Sequence, residues 1–466
     1  MDKQKKYNEC QKQISCSDCK SNISCEEWVA FVSLHNDKKS YAHFDKRISL
    51  EMPTIRQYVM NEQKIVTHSF YPFIHFTKTI SRYRKKQKKQ KKRELYYCSH
   101  LDRCVYQRYA FLLNQKYNEV VKKIGINDVA IAYRSDLGKK NNIAFAKMAF
   151  DAIRERKHCL VIVGDFTNFF DKLNHEYLKG MLCYLLDVEK LPQDYFAVYK
   201  NITRFASWDW ELLVKQSGNS IKETGIRTKL NNQETLLTKS QFKQHTDSIV
   251  KNKNVYGIPQ GSPISAVLSN VYMLNFDKEI NDYVSKLNGT YMRYSDDFLI
   301  VLPYENEQEI SNHKDFIFSQ VDCIEGLELQ KDKTSVYIFN NKQITKIERD
   351  ETSKIEKKEI SKIDYLGFIF DGIDIKLRPK SITKYYYRMR RKAKTIGRSN
   401  WKSPTGRNIS AKNLYNIYSS GGEKQTFIDY AKRAKYKLKL NDAEADSLIK
   451  NHKQKIAHAI KDSTEK

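Results

Sequence analysis

Glycine and proline are scarce, at 16 and 8 of 466 residues. That excludes a collagen-like chain and argues against long low-complexity linkers. No apolar run approaches the roughly 18 residues that a spanning helix needs. The best stretches, Cys159–Val163 and Phe298–Leu302, are strand-sized, so no membrane partner is expected. The first residues, Met1–Tyr7, are polar with no apolar segment behind them. Export is therefore not expected, and the cytoplasm is the expected compartment. Acidic residues are few beside basic ones, 55 Asp+Glu against 83 Lys+Arg, for a formal net charge of +28. What is present in quantity is apolar and aromatic surface, 40% and 12%, enough for a sizeable core without disulfides. The charge points to a polyanionic partner, although an AT-rich genome would also supply Lys, Asn, Ile and Tyr. Only the distribution of the charge separates the two readings.

That distribution is uneven. From Lys78 to Arg93 there are ten positive charges in sixteen residues and no acid. Such a block repels itself and is expected to extend as a solvated arm that finds phosphates. From Gly372 to Pro404 there are eleven Lys+Arg against Asp374 alone, with Tyr385, Tyr386, Tyr387 and Trp401 interleaved. Positive charge can track a phosphate backbone while rings stack on bases. The two segments hold 20 of the 28 excess charges. Four of the nine cysteines, Cys10, Cys16, Cys19 and Cys25, crowd the first 25 residues. Four thiolates could close a tetrahedral Zn²⁺ site, but only Cys16 and Cys19 form the tight pair usual in zinc ribbons; free thiols are the other reading.

Between the basic segments the pattern is that of a folded core. Helix is expected over Leu95–Asn118, Asn142–Lys157 and Glu176–Leu186, the last capped by Asn174. Asp128–Arg134 and Cys159–Val163 read as strands. Polar insertions are expected near 217–254 and 340–362. The last hundred residues read as basic and helical.

Chemistry concentrates at acids placed on strand ends. Tyr294-Ser295-Asp296-Asp297 is flanked by Met292-Arg293 and by Phe298-Leu299-Ile300-Val301. This reads as a hairpin with carboxylates at its tip. A second acid ends another apolar run, Val161-Ile162-Val163-Gly164-Asp165. Oxygen donors of this kind suit Mg²⁺, and two such ions about 3.5–4 Å apart could activate a hydroxyl and stabilise a leaving oxygen. A rigid Gly- and Pro-rich turn, Gly257–Ser265, precedes a helix and would present Gln260.

These segments resemble the motifs of a reverse transcriptase. Asp165-Phe166-Thr167-Asn168-Phe169-Phe170 is similar to polymerase motif A, Gly257–Ser265 to motif B, and Tyr294–Asp297 to the Tyr-x-Asp-Asp of motif C. Leu327–Thr334 resembles motif D, and Tyr365-Leu366-Gly367-Phe368 the motif E turn. Ala132-Tyr133-Arg134 and Leu137-Gly138-Lys139 resemble segments that hold the triphosphate. The resemblance implies an α+β right-hand polymerase with fingers, an antiparallel palm sheet, a helical thumb and an N-terminal extension. The boundaries it suggests are 1–94 for the extension, 95–371 for fingers and palm, and 372–466 for thumb and tail. It implies two Mg²⁺ ions on Asp165, Asp296, Asp297 and the Phe166 carbonyl. Arg134, Lys139, Phe170, Gln260 and Lys333 would contact the dNTP, with Phe170 as a steric gate against ribonucleotides. Tyr365, Leu366 and Gly367 would grip the primer. Asp171 and His175 read as structural rather than as ligand or base.

Within reverse transcriptases, the retron signatures Asn-Ala-x-x-His and Val-Thr-Gly are absent, and no nuclease signature of group II intron proteins follows motif E. Phe70-Tyr71-Pro72-Phe73, Ser99-His100-Leu101-Asp102-Arg103, Gly261-Ser262-Pro263-Ile264-Ser265 and Tyr385-Tyr386-Tyr387-Arg388-Met389 resemble the bacterial, abortive-infection-like "unknown group" enzymes of phage defence. The resemblance then implies a structured non-coding RNA and an RNA–DNA duplex as partners. A retron or group II-like role, or untemplated synthesis by the same site, are the alternatives. A monomer and a homo-oligomer both remain open.

Overall fold

The computed structural model describes residues 25–34, 39–84, 87–134, 136–138, 140–349, 355–398, 401–402, 406, 408–421 and 425–464. The strands, in chain order, are β1 (Phe73–Arg84), β2 (Gln87–Tyr97), β3 (His158–Asp165), β4 (Ala206–Asp209), β5 (Val250–Lys251), β6 (Thr290–Tyr294) and β7 (Asp297–Leu302). They continue as β8 (Ser335–Asn340), β9 (Gln343–Arg349), β10 (Ile355–Ile360), β11 (Ile363–Tyr365), β12 (Phe368–Phe370) and β13 (Ile375–Leu377). The chain divides into two units, each made of two stretches: Met1–Lys123 with Asn168–Leu274, and Ile124–Thr167 with Asn275–Lys466.

The second unit carries a six-stranded sheet in the order β10-β9-β8-β3-β7-β6. Every pairing in it is antiparallel, as expected of the palm. β3 is central because it is apolar on both faces: Cys159, Leu160, Val161 and Ile162 are all fully buried. An apolar run of that length belongs between two strands with both faces covered. The Asn142–Arg156 helix, capped by Asn141 through bonds to Ile143 N and Ala144 N, packs Phe145, Ala149, Phe150 and Ile153 into the same core. A three-stranded sheet, β11-β12-β13, joins this core through Phe368, Phe370, Ile375 and Leu377.

The basic C-terminal region is helical, as expected: Pro379–Arg398, Lys412–Tyr418, Phe427–Leu438 and Ala443–Thr464. Its aromatic trio splits by function. Tyr385 is core, packed on Tyr418 and Phe427. Tyr386 lies beneath Lys455, whose ammonium is 4.4 Å from the ring centre. Tyr387 is exposed. Basic residues on this helix stay at the surface because desolvating an unpaired ammonium is too costly.

The first unit holds a second sheet, β2-β1-β4-β5. Here three expectations need correcting. The basic segment is not an unpaired arm: β1 and β2 form an antiparallel hairpin with eleven paired positions, including Lys78↔Arg93 and Thr79↔Lys92. Backbone pairing and the apolar rungs at its root, such as Phe76↔Leu95, hold it against its own charge. The helix expected from Leu95 begins at His100, because Leu95–Tyr97 complete β2 and the Asp45 carboxylate accepts from His100 N and Leu101 N at the new start. The polar stretch 217–254 is not loose. Its short Ile226–Asn231 helix seats Ile226 and Leu230 in a core with Phe44, Trp208, Trp210 and Leu213.

In the second unit, Asp128–Arg134 contributes only a single bridge, Ala130↔Arg293, instead of a strand. The polar stretch 340–362 is not an insertion between strands; it supplies all of β9 and β10, extending the sheet at its edge. Among the described residues no helix is long and apolar enough to cross a membrane. Cys10, Cys16 and Cys19 lie outside the described residues. Cys25 is described only by its backbone, at the start of the Cys25–Leu34 helix.

One residue sets how closely β3 can pair with β7. Gly164 faces Phe298, and an added Cβ would lie 2.3 Å from the ring. Gly164→Ala should therefore force Phe298 or the strand aside, costing about 1–3 kcal/mol as overpacking does. Calorimetry should show a lowered Tm; an unchanged Tm would mean the ring yields freely.

Candidate active site

The β3–β7 ladder ends on the pair Asp165↔Asp297. Two strand termini therefore bring two carboxylates to one edge of the sheet. Asp296 joins them from the two-residue turn Ser295-Asp296 between β6 and β7, where Tyr294 pairs with Asp297. Phe166 N donates to Asp296 O at 3.1 Å, which fastens the chain after Asp165 to that turn. Ser295 sits at φ +62, a left-handed conformation uncommon outside glycine and often kept at functional turns.

A buried ion pair holds the strained turn from behind. Arg293 and Asp277 are both fully buried, and Arg293 reaches Asp277 through Nε at 2.7 Å and Nη2 at 2.5 Å. Tyr291 OH donates to the same carboxylate at 2.8 Å. Arg293 Nη1 donates at 2.9 Å to the Ser295 carbonyl, the backbone of the turn itself. The sequence reading missed this pair. A charged residue between apolar positions of a strand was the available signal, since buried charge is almost always paired.

The carboxylates are crowded, and their protonation reflects it. Burial, a hydrogen bond with Asp165 and the negative charges of Asp296 and Asp165 push the Asp297 carboxyl up to about 8. Burial chiefly raises Asp296 as well, with the charge of Asp165 adding to it. Lys333 opposes this: its ammonium lies 2.6 Å from both Asp165 oxygens. It arrives on the segment 327–334, which bonds to the strand end through Thr167 N to Glu328 O and Gln330 N to Asp165 O. Among the described residues, no set of three or more His, Cys, Asp or Glu side chains forms a ready-made ion cage. Lys333 occupies the position a counter-charge would take. The donor set still suits a hard cation: three carboxylates at one edge of the sheet, two of them with pKa values raised by burial and neighbouring charge.

The other expected residues fall into two groups. In the second unit, Arg134 has its guanidinium closed on Asp136 (3.1 and 2.8 Å), on Asn127 Oδ1 (2.7 Å) and on the Asn127 carbonyl. A bond from Arg134 to a triphosphate would require that fork to open. Its neighbour Tyr133, at φ +64, instead places its hydroxyl 3.3 Å from Ser295 Oγ. Lys139 lies outside the described residues. The Phe166 ring packs against Phe276 and Phe298. Tyr365 and Phe368 close the β11–β12 turn, with Leu366 at φ +47 and Gly367 at φ +96. Two left-handed central residues are the pattern of a type I′ hairpin. Asn142 Nδ2 clamps it, donating to Leu366 O at 3.1 Å and contacting Tyr430 OH at 2.9 Å. Tyr365 is buried, and its hydroxyl has no partner among the described residues.

In the first unit, Phe170 is tied to the Gly257–Ser265 turn by Ile258 N donating to its carbonyl at 2.9 Å. Gly257 N donates to Leu173 O, and His175 Nε2 bonds Gly257 O at 2.8 Å. Burial lowers the His175 pKa. A neutral ring bonded to backbone agrees with the structural role read for it. Gln260 O accepts from Tyr96 N at 3.0 Å, and Gly261, at φ +121, allows that approach: a Cβ there would lie 2.3 Å from Tyr96 O.

Residues 213–370 match the family model described as reverse transcriptase (RNA-dependent DNA polymerase). The matched stretch contains Gln260, Asp296, Asp297, Lys333 and the Tyr365–Gly367 turn; Asp165 precedes it in sequence and is joined to it by the β3–β7 ladder. Among curated proteins none matches the chain. Among solved structures, the chain is similar to apo telomerase of Candida tropicalis truncated from its C-terminal domain. That match has 12% identity and a TM-score of 0.40, over 76% of this chain and 67% of that one. It is also similar to Candida albicans telomerase in complex with a fragment of telomeric RNA, at 13% identity and TM-score 0.35, over 94% and 70%. Apo telomerase of Candida tropicalis matches at 12% and 0.37, over 94% and 71%.

The crowding has a consequence for stability. An aspartate ordinarily titrates at 3.8, and Asp297 does so at about 8, so the folded chain holds this proton more tightly than the unfolded chain. The stabilisation is complete below about pH 4 and is lost as pH rises through 8. In metal-free buffer Tm should fall from pH 6 to 9, with a shallower fall in Asp297→Asn. Parallel profiles for the two proteins would remove Asp297 from the account.

Proposed function

We propose, for a chain that is an RNA-directed DNA polymerase with a reverse transcriptase domain, that it extends a 3′-hydroxyl with dNTPs by two-metal catalysis at Asp165, Asp296 and Asp297. The single observation that carries this reading is the Asp165↔Asp297 rung with Asp296 on the adjoining turn. Carboxylates are otherwise rarely packed this closely. When bound there, two Mg²⁺ ions would activate the attacking hydroxyl and stabilise the leaving pyrophosphate oxygen. Asp165 and Asp296 would ligate both, with the Phe166 carbonyl completing one site and Asp297 an outer ligand.

The remaining side chains take supporting roles in this reading. Lys333, 2.6 Å from both Asp165 oxygens, would neutralise or protonate the departing pyrophosphate if a cation took its place beside Asp165. Arg134, Lys139 and Gln260 are the further dNTP contacts. Phe170 crowds the ribose 2′-hydroxyl, and Tyr365, Leu366 and Gly367 hold the primer end. Residues 1–94 form the extension, 95–371 fingers and palm, and 372–466 the thumb, whose exposed Lys and Arg lie along an RNA–DNA duplex.

Reverse transcriptases bind RNA templates. The finer reading is a dedicated structured non-coding RNA copied in defence against phage. It rests on the local likeness of the 70–73, 99–103, 261–265 and 385–389 segments to the abortive-infection-like bacterial enzymes. Zn²⁺ on the four N-terminal cysteines is a separate proposal that rests on spacing alone.

Asp296→Ala with Asp297→Ala should abolish Mg²⁺-dependent dNTP incorporation on an RNA template, by at least about a thousandfold if the carboxylates carry the metal chemistry. The same variant should lose any protection of the host in plaque assays. Full activity in the double variant would sink the catalytic reading, and protection without activity would sink the link to defence. Phe170→Ala should raise ribonucleotide incorporation relative to dNTP; unchanged selectivity would take Phe170 out of the gate role.

A further inference from the structure

The first unit contains a cavity of about 410 Å³ in which Gln260, proposed above as a dNTP contact, is one of ten lining residues; the other nine have no role in the proposed catalysis. Its walls are aromatic: Tyr41, Phe76, Tyr96, Tyr97 and Trp210. The volume is within the range of small-molecule sites. Two amides, Asn231 and Gln260, sit among its lining. Asn231 uses its Oδ1 to accept from Ala42 N at 3.1 Å, so the donor it can offer a ligand is its NH₂. Arg227 is exposed, and its guanidinium lies over two of the rings, 5.2 Å from the centre of Phe76 and 5.3 Å from that of Trp210.

The cavity lies at the root of the basic hairpin. Its Phe76 and Leu95 are cross-strand partners. Opposite residues share a face of the sheet, and so do residues two positions along. The rungs that follow on that face are Lys78↔Arg93 and Ile80↔Lys91. Charge therefore recurs about every 6.8 Å, twice the strand rise, leading away from an aromatic pocket. A ribbon of positive charge beside a pocket of rings is how single-stranded nucleic acid is held: phosphates on the charge, a base in the rings. A duplex cannot use such a pocket, because its bases are stacked inside.

We propose that this cavity takes one unpaired base of an RNA strand whose phosphates run along the β1–β2 hairpin. The base stacks among the aromatic rings, the Asn231 amide meets its edge, and Arg227 closes the mouth against the adjoining phosphate. The proposal rests on the reading that RNA is the partner, but not on which residues carry out catalysis.

The test is binding by the full chain in EDTA, where polymerisation cannot contribute. The probes are a fluorescent single-stranded 12-nucleotide RNA and the same RNA in a 12-base-pair duplex. Arg227→Ala should weaken single-strand binding about tenfold, the scale of one stacked base, and leave duplex binding within about twofold. With a 4-thiouridine in the single strand, photocrosslinks should map to Tyr96, Tyr97 or Trp210. Equal losses on both probes would reduce Arg227 to a bare phosphate contact and overturn the pocket. Unchanged binding to both, or crosslinks confined to other segments, would overturn it too. Because the assay needs none of the three aspartates, its failure leaves the catalytic reading standing, and failure of the Asp296/Asp297 test leaves this one standing.

Discussion

Like charges held together against their repulsion are the constraint on which the candidate site depends. Asp165 and Asp297 are cross-strand partners, and Asp296 is one residue away on the connecting turn. Burial and the neighbouring negative charge raise the pKa of Asp296 and Asp297. The sheet resists by geometry: apolar strands buried on both faces cannot slip by one residue without reversing every side chain. Lys333 resists by charge, with both Asp165 oxygens in its grip. Such a site is prepared for something more positive than one ammonium.

The second layer of support is less visible. Arg293 and Asp277 form an ion pair from which water is excluded. A buried pair is weak evidence for added stability, because desolvation offsets much of the attraction. Its effect here is positional. One guanidinium nitrogen holds the carbonyl of Ser295, a residue in a backbone conformation that it would not adopt unaided. The Tyr365-Leu366-Gly367-Phe368 turn follows the same pattern, with Asn142 bonded to the carbonyl of a left-handed Leu366. In both turns a side chain holds the strained peptide: Arg293 from the strand leading into the turn, and Asn142 from a distant helix.

Much of the carboxylate-bearing sheet edge was legible in the sequence, for identifiable reasons. Val161–Asp165 and Asp297–Leu302 are apolar runs ending on acids, and a run of that kind is a central strand with its acid at the tip. Asn174 and the helix after it were legible from the cap. The basic hairpin was not. Lys78–Arg93 has the composition of an extended, self-repelling block, yet β1 and β2 pair through it. The pairing is rooted in apolar residues outside the block, which a charge count ignores. Residues 340–362 read as an insertion for the same reason, since strands at a sheet edge can be polar and carry little periodic signal.

Local pattern alone marked the acids of the candidate site: which they are, in which order, and at the ends of which apolar strands. Local patterns report such things because burial and capping act over a few residues. Only the tertiary structure decided what each group faces. It closed Arg134 on Asp136 and Asn127, set Lys333 on Asp165, placed Arg293 behind the Ser295 turn, and opened an aromatic cavity at the foot of the charged hairpin. The Lys333–Asp165 pair and the cavity depend on residues far apart in the chain coming together, which no short-range pattern records.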